Sequence, residues 1–314
     1  MPVKRVVIAV GGNSLIRDSQ HQSVQDQYEM AALTDDHIAT LVQMGMEVAI
    51  THGNGPQVGF ILRRSELAAH ELHEIPLEVC GADTQGAIGY ALQQNLCNDF
   101  RRLDIRKSVA TVISQVEVEP DDPAFQSPSK PIGWYMDEAT ANRRKAEGWH
   151  VVEEANRGWR RVVASPRPLR IVEAPVIRKL IDSGVVVIAV GGGGIPVVRD
   201  EVGDLRGVEA VIDKDLASAL LATAVGADLF AITTSVEKAA LHFGTPRQQW
   251  IDTLTIREAK DHLAAGIHFG RGSMAPKVQA IINFIEAGGK EGLITNAENL
   301  ERAVAGETGT RIKR

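Results

Sequence analysis

The sequence predicts an α/β fold built on a mainly parallel sheet that is covered by helices on both faces. Short β-branched runs are apolar at nearly every position, as in strands buried on both faces. Longer segments with helical periodicity lie between these runs, and such alternation is typical of βαβ units. The chain has 314 residues, which suffices for one large domain or two modest ones with a sizeable core.

Strands are predicted where β-branched residues cluster, and most of these runs end at a glycine or a turn. They cover residues 6–10, 47–51, 108–113, 185–190, 229–233 and 292–295. Helices are predicted between them at residues 22–44, 56–73, 82–102, 173–183, 214–225, 255–264 and 275–287. The basic tail at residues 311–314 is interpreted as a solvated end.

Composition and charge exclude several classes of protein. The net charge of −6 argues against general nucleic-acid binding, which favours a basic face. Cys80 and Cys97 are too few for a disulfide framework or a cysteine-rich metal site, and we interpret them as reduced, buried thiols. No apolar run approaches the ~20 residues of a membrane helix, and the N-terminus does not have the pattern of a signal peptide. We therefore expect a cytoplasmic protein.

Residues 117–168 break the alternation of strands and helices. This segment is rich in proline, charge and tryptophan, and it contains Trp134, Trp149 and Trp159. A loop of this length in a compact domain is usually functional when it is ordered. The segment is predicted to be an insertion that forms a small protruding subdomain or lid.

Three predicted strands end in glycine-rich turns, which are the first indication of function. The turns are Gly11-Gly12-Asn13, Gly53-Asn54-Gly55 and Gly191-Gly192-Gly193-Gly194. The P-loop pattern is absent, and GxGxxG fails at the last turn because Pro196 stands where its final glycine should be. Glycine lets backbone N–H groups converge on an anion, and ligands bind at the carboxyl ends of parallel strands. Together the turns predict an anion site.

Three lysines have settings that suit the fixed cations of a phosphate site. Lys130 lies between prolines within the insertion, Lys214 lies between Asp213 and Asp215, and Lys277 follows a glycine turn that enters a helix. Phosphoryl transfer depends mostly on positioning and charge neutralisation by such groups. The two aspartates are interpreted either as helix N-terminal charges or as carboxylates that hold the lysine amines.

Several motifs occur in order over nearly the whole chain, and together they resemble the carbamate kinases, a branch of the amino acid kinase superfamily. The motifs are GGN (11–13), HGNGPQVG (52–59), TQGAIGY (84–90), PSKPIG (128–133), RGWRRVVASPRP (157–168), GGGGIPV (191–197), GVEAVIDKDLAS (207–218) and GSMAPK (272–277). The resemblance implies a three-layer αβα sandwich around a mainly parallel sheet of about eight strands, in a homodimer. It places carbamate in the N-terminal half and the nucleotide in residues 185–314.

The resemblance also implies the reaction and the roles of individual residues. Such enzymes transfer phosphate reversibly between carbamoyl phosphate and ADP, with Mg²⁺ held mainly by the nucleotide phosphates rather than by protein ligands. Lys214 and Lys277 then contact nucleotide phosphates, Asp215 organises these lysines, and Lys130 reaches the phosphoryl group from the lid. The phosphoryl or acceptor site includes Gly11, Gly12, Asn13, Gly53, Asn54, Gly55, Arg157 and Gly191 to Gly194, and Met274 lies near the nucleotide.

Four alternative functions differ in how well the sequence fits them. The same enzyme could run in reverse and make carbamoyl phosphate, or it could phosphorylate another small carboxylate. A regulatory paralogue without turnover would be expected to lack one of the three lysines, and all three are present. An oxidoreductase needs a dinucleotide fingerprint that is missing. Asn156 stands where the resemblance leads us to expect glycine, and the sequence departs from the motif at this position before Arg157.

Overall fold

The computed structural model of the chain describes residues 4–11, 15–16, 18, 20–154, 157–270 and 272–314. Helices within these residues are α1 (Val24–Gln43), α2 (Gly55–Ala68), α3 (Leu77–Arg102), α4 (Glu138–Ala146), α5 (Ala174–Asp182), α6 (Lys214–Ala224), α7 (Ile256–Ala265), α8 (Met274–Glu286) and α9 (Leu300–Ala305). Strands are β1 (Arg5–Val10), β2 (Glu47–His52), β3 (Val109–Val112), β4 (Gln115–Glu117), β5 (Lys130–Met136), β6 (Val151–Glu154), β7 (Gly158–Val163), β8 (Arg170–Ile171), β9 (Val186–Ala189), β10 (Ile195–Arg199), β11 (Leu205–Gly207), β12 (Leu229–Thr233), β13 (Ala240–Leu241), β14 (Gln249–Trp250), β15 (Thr253–Thr255), β16 (Glu291–Thr295) and β17 (Thr310–Lys313).

The central sheet has eight strands in the order β15-β17-β16-β12-β1-β2-β9-β3. Six of them, from β16 to β3, run parallel to one another. The remaining two, β17 and β15, run in the opposite direction at one end of the sheet. The predicted α/β fold with a mainly parallel sheet of about eight strands is thus confirmed.

The two faces of the sheet have separate hydrophobic cores because successive side chains of a strand point to opposite faces. In β1, Val7 and Ala9 pack with buried residues of α5, α6, α7 and α8. Val6 and Ile8 pack on the other face with α1, α3 and α9. These fully buried aliphatic side chains, at roughly 1.5–3 kcal/mol each, fix the sheet between its two helical layers.

A second, smaller body is formed within residues 117–168. It has a three-stranded antiparallel sheet in the order β5-β7-β6, with α4 beside it. A third cluster of apolar residues joins it to α2 and α3, with Ile132 and Val163 on one side and Val58 and Leu62 on the other. Gly59 packs so closely on β5 that a Cβ atom there would lie 3.1 Å from the Cα atom of Gly133. We call residues 117–168 the lid.

Two interpretations of the sequence are wrong. The basic tail is a strand of the central sheet, and Ile312 within it is completely buried. The strand was missed because polar residues alternate with its apolar one, as befits a strand near the end of a sheet. Cys80 is buried, but Cys97 is exposed, since the two residues lie on different faces of α3.

Candidate active site

Gly11 of the first glycine-rich turn and the turns after β2 and β9 come together at the carboxyl ends of the strands, because β1, β2 and β9 are neighbours and parallel. The Gly11 amide donates to the Thr233 hydroxyl at 3.2 Å. The Gly53 amide donates to the carbonyl of Val10 at 3.1 Å, which ties the first two turns together. Gly12 and Asn13 lie outside the described residues, so their predicted roles remain predictions.

The four glycines at residues 191–194 are required by close contacts with the protein itself. A Cβ atom on Gly191 would lie 2.3 Å from the His52 ring, and one on Gly192 would lie 2.0 Å from the Asn54 amide group. A Cβ atom on Gly193 would lie 2.5 Å from the Ile212 carbonyl oxygen, and one on Gly194 would lie 2.3 Å from the Val116 side chain. Three of the four, Gly192 to Gly194, also have positive φ. Close packing therefore accounts for the run of four glycines before any ligand is considered.

The turn that holds these glycines is strained at its first residue. Val190 has a φ of 54°, a left-handed conformation that β-branched residues rarely adopt. Its amide is held by the Ser114 hydroxyl at 3.0 Å. The Gly193 amide donates to the Val190 carbonyl, and the Gly194 amide donates to the Gly191 carbonyl. The amides of Gly191 and Gly192 have no acceptor within the turn. Such strain concentrates at functional sites.

Asn54 and Gly55 form the start of α2. Asn54 occupies the N-cap position, but its side chain makes no capping bond, and its Nδ2 group donates to the Thr84 hydroxyl at 2.8 Å. Gly55 is the first residue of the helix and is exposed. The Asn54 side chain is thus directed across the turn toward Gly192 rather than used to stabilise its own helix.

Asp215 brings two of the predicted lysines together. Its Oδ1 atom accepts from the Lys214 amine at 2.6 Å, and its Oδ2 atom accepts from the Lys277 amine at 2.9 Å. Asp215 is only 4% exposed, and the two lysine side chains are 15% and 13% exposed. Lys214 is the first residue of α6, and Lys277 lies in the first turn of α8. One carboxylate therefore aligns cations from two helices.

Burial and charge pairing act in opposite directions on these groups. Burial by itself would raise the pKa of Asp215, but the ammonium groups of Lys214 and Lys277 outweigh it and lower the pKa to about 2. Burial lowers the pKa of Lys214, against the opposing effect of the Asp215 carboxylate. Asp215 therefore stays ionised at neutral pH and holds both amines in place.

Lys130 reaches this site from the lid. Its amine lies 2.8 Å from the Oδ2 atom of Asp213, the N-cap residue of α6. Its side chain is 33% exposed, about twice as much as those of Lys214 and Lys277. The three lysines therefore come from the lid, α6 and α8 and are held by two aspartates of one helix start.

Arg157 is not brought to this group of residues. It is exposed at the beginning of the turn before β7, and its guanidinium donates to the Tyr135 hydroxyl at 3.3 Å. That hydrogen bond raises the pKa of Arg157. Both partners belong to the lid, so the predicted role of Arg157 at the phosphoryl group has no contact to support it.

Met274 lines a cavity of about 510 Å³ beyond the end of β12. The cavity is bounded by the segment after β12 and by the turn before α8, and it has an apolar wall that includes Phe243 and Phe269. Its residues are Thr234, Ser235, Val236, Lys238, Ala240, His242, Phe243, Thr245, Gly266, Ile267, His268, Phe269, Gly270, Ser273 and Met274. Apolar and aromatic walls with a few polar groups are typical of sites for organic ligands. The sequence predicted Met274 near the nucleotide, but no motif marks the aromatic residues.

His52 is the last residue of β2 and is buried at the carboxyl ends of the parallel strands, rather than exposed as a base. It is 1% exposed, its Nδ1 atom lies 3.1 Å from the carbonyl oxygen of Gly53, and burial lowers its pKa to about 4. The imidazole is therefore neutral at pH 7.

This depressed pKa predicts acid sensitivity. Between pH 6.5 and about 4 the unfolded chain binds a proton at His52 that the folded protein excludes, so stability falls as pH decreases through this window. The loss is roughly 3 kcal/mol at its limit. We expect His52→Gln to flatten the pH dependence of urea unfolding between pH 6.5 and 4.5. An unchanged slope in the variant would contradict the assignment.

In the part of the chain that the structure describes, no three His, Cys, Asp or Glu side chains are arranged to hold a metal ion. Both aspartates of the site are already paired with lysines.

None of the helices in the described residues has the length and apolar character needed to span a membrane.

Comparison with known proteins places this geometry in context. A family model described as the amino acid kinase family matches residues 4–296. The chain is 50% identical to the carbamate kinase-like protein YahI of Escherichia coli, over 98% of each chain, and 48% identical to a carbamate kinase of Thermococcus kodakarensis, over 99% and 100%. Its fold is similar to that of a carbamate kinase from Giardia lamblia bound to AMP-PNP, with a TM-score of 0.92, 40% identity and coverage of 99% and 98%.

Proposed function

The chain belongs to the amino acid kinase family, and on that premise we propose that it is a carbamate kinase. It is a phosphotransferase that moves the phosphoryl group of carbamoyl phosphate to ADP, and the products are ATP and carbamate. The bond from phosphorus to the carbamoyl oxygen breaks, and a bond to a β-phosphate oxygen of ADP forms. The observation that carries the proposal is the convergence of Lys130, Lys214 and Lys277 on Asp213 and Asp215 beside the glycine turns.

The charges of the site suit the transfer between two anions. Carbamate and ADP repel each other and the moving phosphoryl group, so fixed cations are needed to lower the barrier. Three lysines and two aspartates leave a net charge of +1 at the site before ligands bind. The carbamate oxygen is already deprotonated, and a general base is unnecessary, which fits the neutral, buried state of His52.

The two substrates are assigned to different parts of the site. The cavity beside Met274 takes the nucleoside, and Lys277, one turn further along α8, contacts its phosphates. The turns at Gly11, Gly53 and Gly191 to Gly194 surround the phosphoryl group, and Asn54 lies beside carbamate. The lid adds Lys130 and excludes water, which protects carbamoyl phosphate from hydrolysis.

Mg²⁺ enters this proposal with the nucleotide. Since Asp213 and Asp215 are engaged by lysines, the phosphate oxygens of the nucleotide would hold the ion, which would supply neutralisation of part of their charge. Homodimeric assembly and a cytoplasmic location remain predictions from the sequence. The flux toward ATP in a catabolic pathway is also a prediction, and the reverse synthesis of carbamoyl phosphate is the same chemistry.

The test is ATP formation from ADP, Mg²⁺ and carbamoyl phosphate, followed through hexokinase, with acetyl phosphate as the competing donor. We expect rapid ATP formation with carbamoyl phosphate and little with acetyl phosphate, because carbamoyl phosphate is the donor in the proposed reaction. A folded protein that binds ADP and makes no ATP from either donor would overturn the proposal. It would favour another carboxylate acceptor or a regulatory paralogue.

A further inference from the structure

Asp213 uses its two carboxylate oxygens for different purposes. The Oδ1 atom accepts from the amides of Asp215 at 2.9 Å and Leu216 at 3.3 Å, which caps the N-terminus of α6. The Oδ2 atom accepts from the amine of Lys130 at 2.8 Å. Because the capping bonds fix the orientation of the carboxylate, the position of the Lys130 amine is fixed relative to the start of α6.

The segment before Asp213 is also bonded to the lid and to the glycine turn. The Val211 amide donates to the Ala164 carbonyl at 2.9 Å, directly after lid strand β7. Arg161 of the same strand forms an ion pair with Glu209. On the other side, Gly193 packs against the Ile212 carbonyl. Lid, glycine turn and helix start therefore meet at residues 209–213.

From this geometry we propose that Asp213 is a positioning residue, which holds the lid lysine Lys130 in register with Lys214 and Asp215. The inference rests on the proposed function for its kinetic consequences. An ammonium group has three donors, and among the described residues Asp213 engages one of those of Lys130, which leaves the others available to face an anion. Asp213 acts through Lys130 and does not itself touch the substrates.

Asparagine at this position separates the two contributions. Asp213→Asn keeps an oxygen that caps α6, since asparagine is as good an N-cap as aspartate, but it removes the charge that holds Lys130. We expect thermal stability and ADP affinity close to those of the wild type, and a turnover lower by about 10²-fold, the cost of misplacing a reacting group by about 1 Å. Asp213→Ala should lose turnover similarly and also lose stability.

A double-mutant cycle with Lys130→Ala distinguishes positioning from a merely structural role. If Asp213 acts through Lys130, Asp213→Asn lowers turnover in the wild-type background and has no further effect when Lys130 is alanine. Additive losses, or an Asp213→Asn enzyme with wild-type turnover, would overturn the proposal. Asp137→Asn is the matched control, because Asp137 caps lid helix α4 through the Thr140 amide at 2.7 Å and lies outside this ion pair.

A readout without turnover keeps this inference separate from the proposed function. Hydrogen exchange of the peptide that contains β5 is measured on the ligand-free protein. We expect it to be several-fold faster in Asp213→Asn than in the wild type and unchanged in Asp137→Asn. Unchanged exchange in Asp213→Asn would refute the proposal that Asp213 holds Lys130 of the lid in place. This outcome would count even if the wild type proved inactive as a carbamate kinase.

Discussion

Replacement of Lys130 by alanine is expected to lower turnover by about 10³-fold while ADP affinity stays within about a factor of two. The lysine is the only one of the three that comes from the lid, and its amine lies on Asp213 rather than on the Lys277 side of the site. We therefore expect it to meet the moving phosphoryl group and not the nucleoside. Stability should change little, because the pair is partly exposed and such pairs contribute about 1 kcal/mol or less.

Turnover from the coupled assay and ADP binding by calorimetry should be measured on the same preparation. Lys145→Ala is a suitable control, since Lys145 is another lid lysine and lies 3.9 Å from the ring centroid of Trp159 rather than on Asp213. We expect the control to retain turnover. Near-normal turnover in Lys130→Ala would remove Lys130 from the catalytic set, and a large loss of ADP affinity would reassign it to the nucleotide.

The sequence predicts those parts of the molecule that local patterns determine. Apolar runs mark the six parallel strands, because strands covered on both faces leave little room for polar residues. The edge strand β15 and its neighbour β17 were missed, since residues 253–255 and 310–313 carry polar side chains on their less covered positions. Helix α4 was missed because its highly charged sequence has no apolar stripe.

Candidate site residues were predictable where glycine or proline marks unusual backbone. Flanking prolines indicated Lys130, the preceding glycine turn indicated Lys277, and the flanking carboxylates indicated Lys214. The separate tasks of Asp213 and Asp215 were not predictable, since both could serve either as helix charges or as lysine partners. Only the fold decides that one carboxylate faces the lid and the other faces α8.

Long-range packing also remained hidden from the sequence. The segment 117–168 was predicted as an insertion because it breaks the strand–helix alternation and is rich in proline, charge and tryptophan. Nothing local indicates that Trp149 lies between the guanidinium groups of Arg144 and Arg161, at 4.5 and 4.4 Å from its ring centroid. The reason for four glycines at 191–194 was equally hidden. Their neighbours His52, Asn54, Val116 and Ile212 come from distant parts of the chain.

Asp215→Asn should have the largest combined effect on stability and activity. The substitution leaves the buried ammonium groups of Lys214 and Lys277 without the carboxylate that pairs with both, and breaking a buried pair in this way costs about 3–5 kcal/mol. Turnover should fall by at least about 10²-fold, since both amines lose their alignment. Glu286→Gln, which breaks the exposed pair with Lys260, is the control and should cost less than about 1 kcal/mol.

The pH dependence of this variant identifies the cause of its instability. Without Asp215, the pKa of Lys214 should fall further below that of the unfolded chain, so the unfolded state binds more protons between the two values. Stability should then rise with pH, and the deficit of Asp215→Asn in urea unfolding should be smaller at pH 9.5 than at pH 7. Adding Lys277→Met should recover part of the stability and none of the turnover. A deficit that is the same at both pH values would mean that Asp215 stabilises the protein by packing, and its place as the organiser of the two lysines would have to be withdrawn.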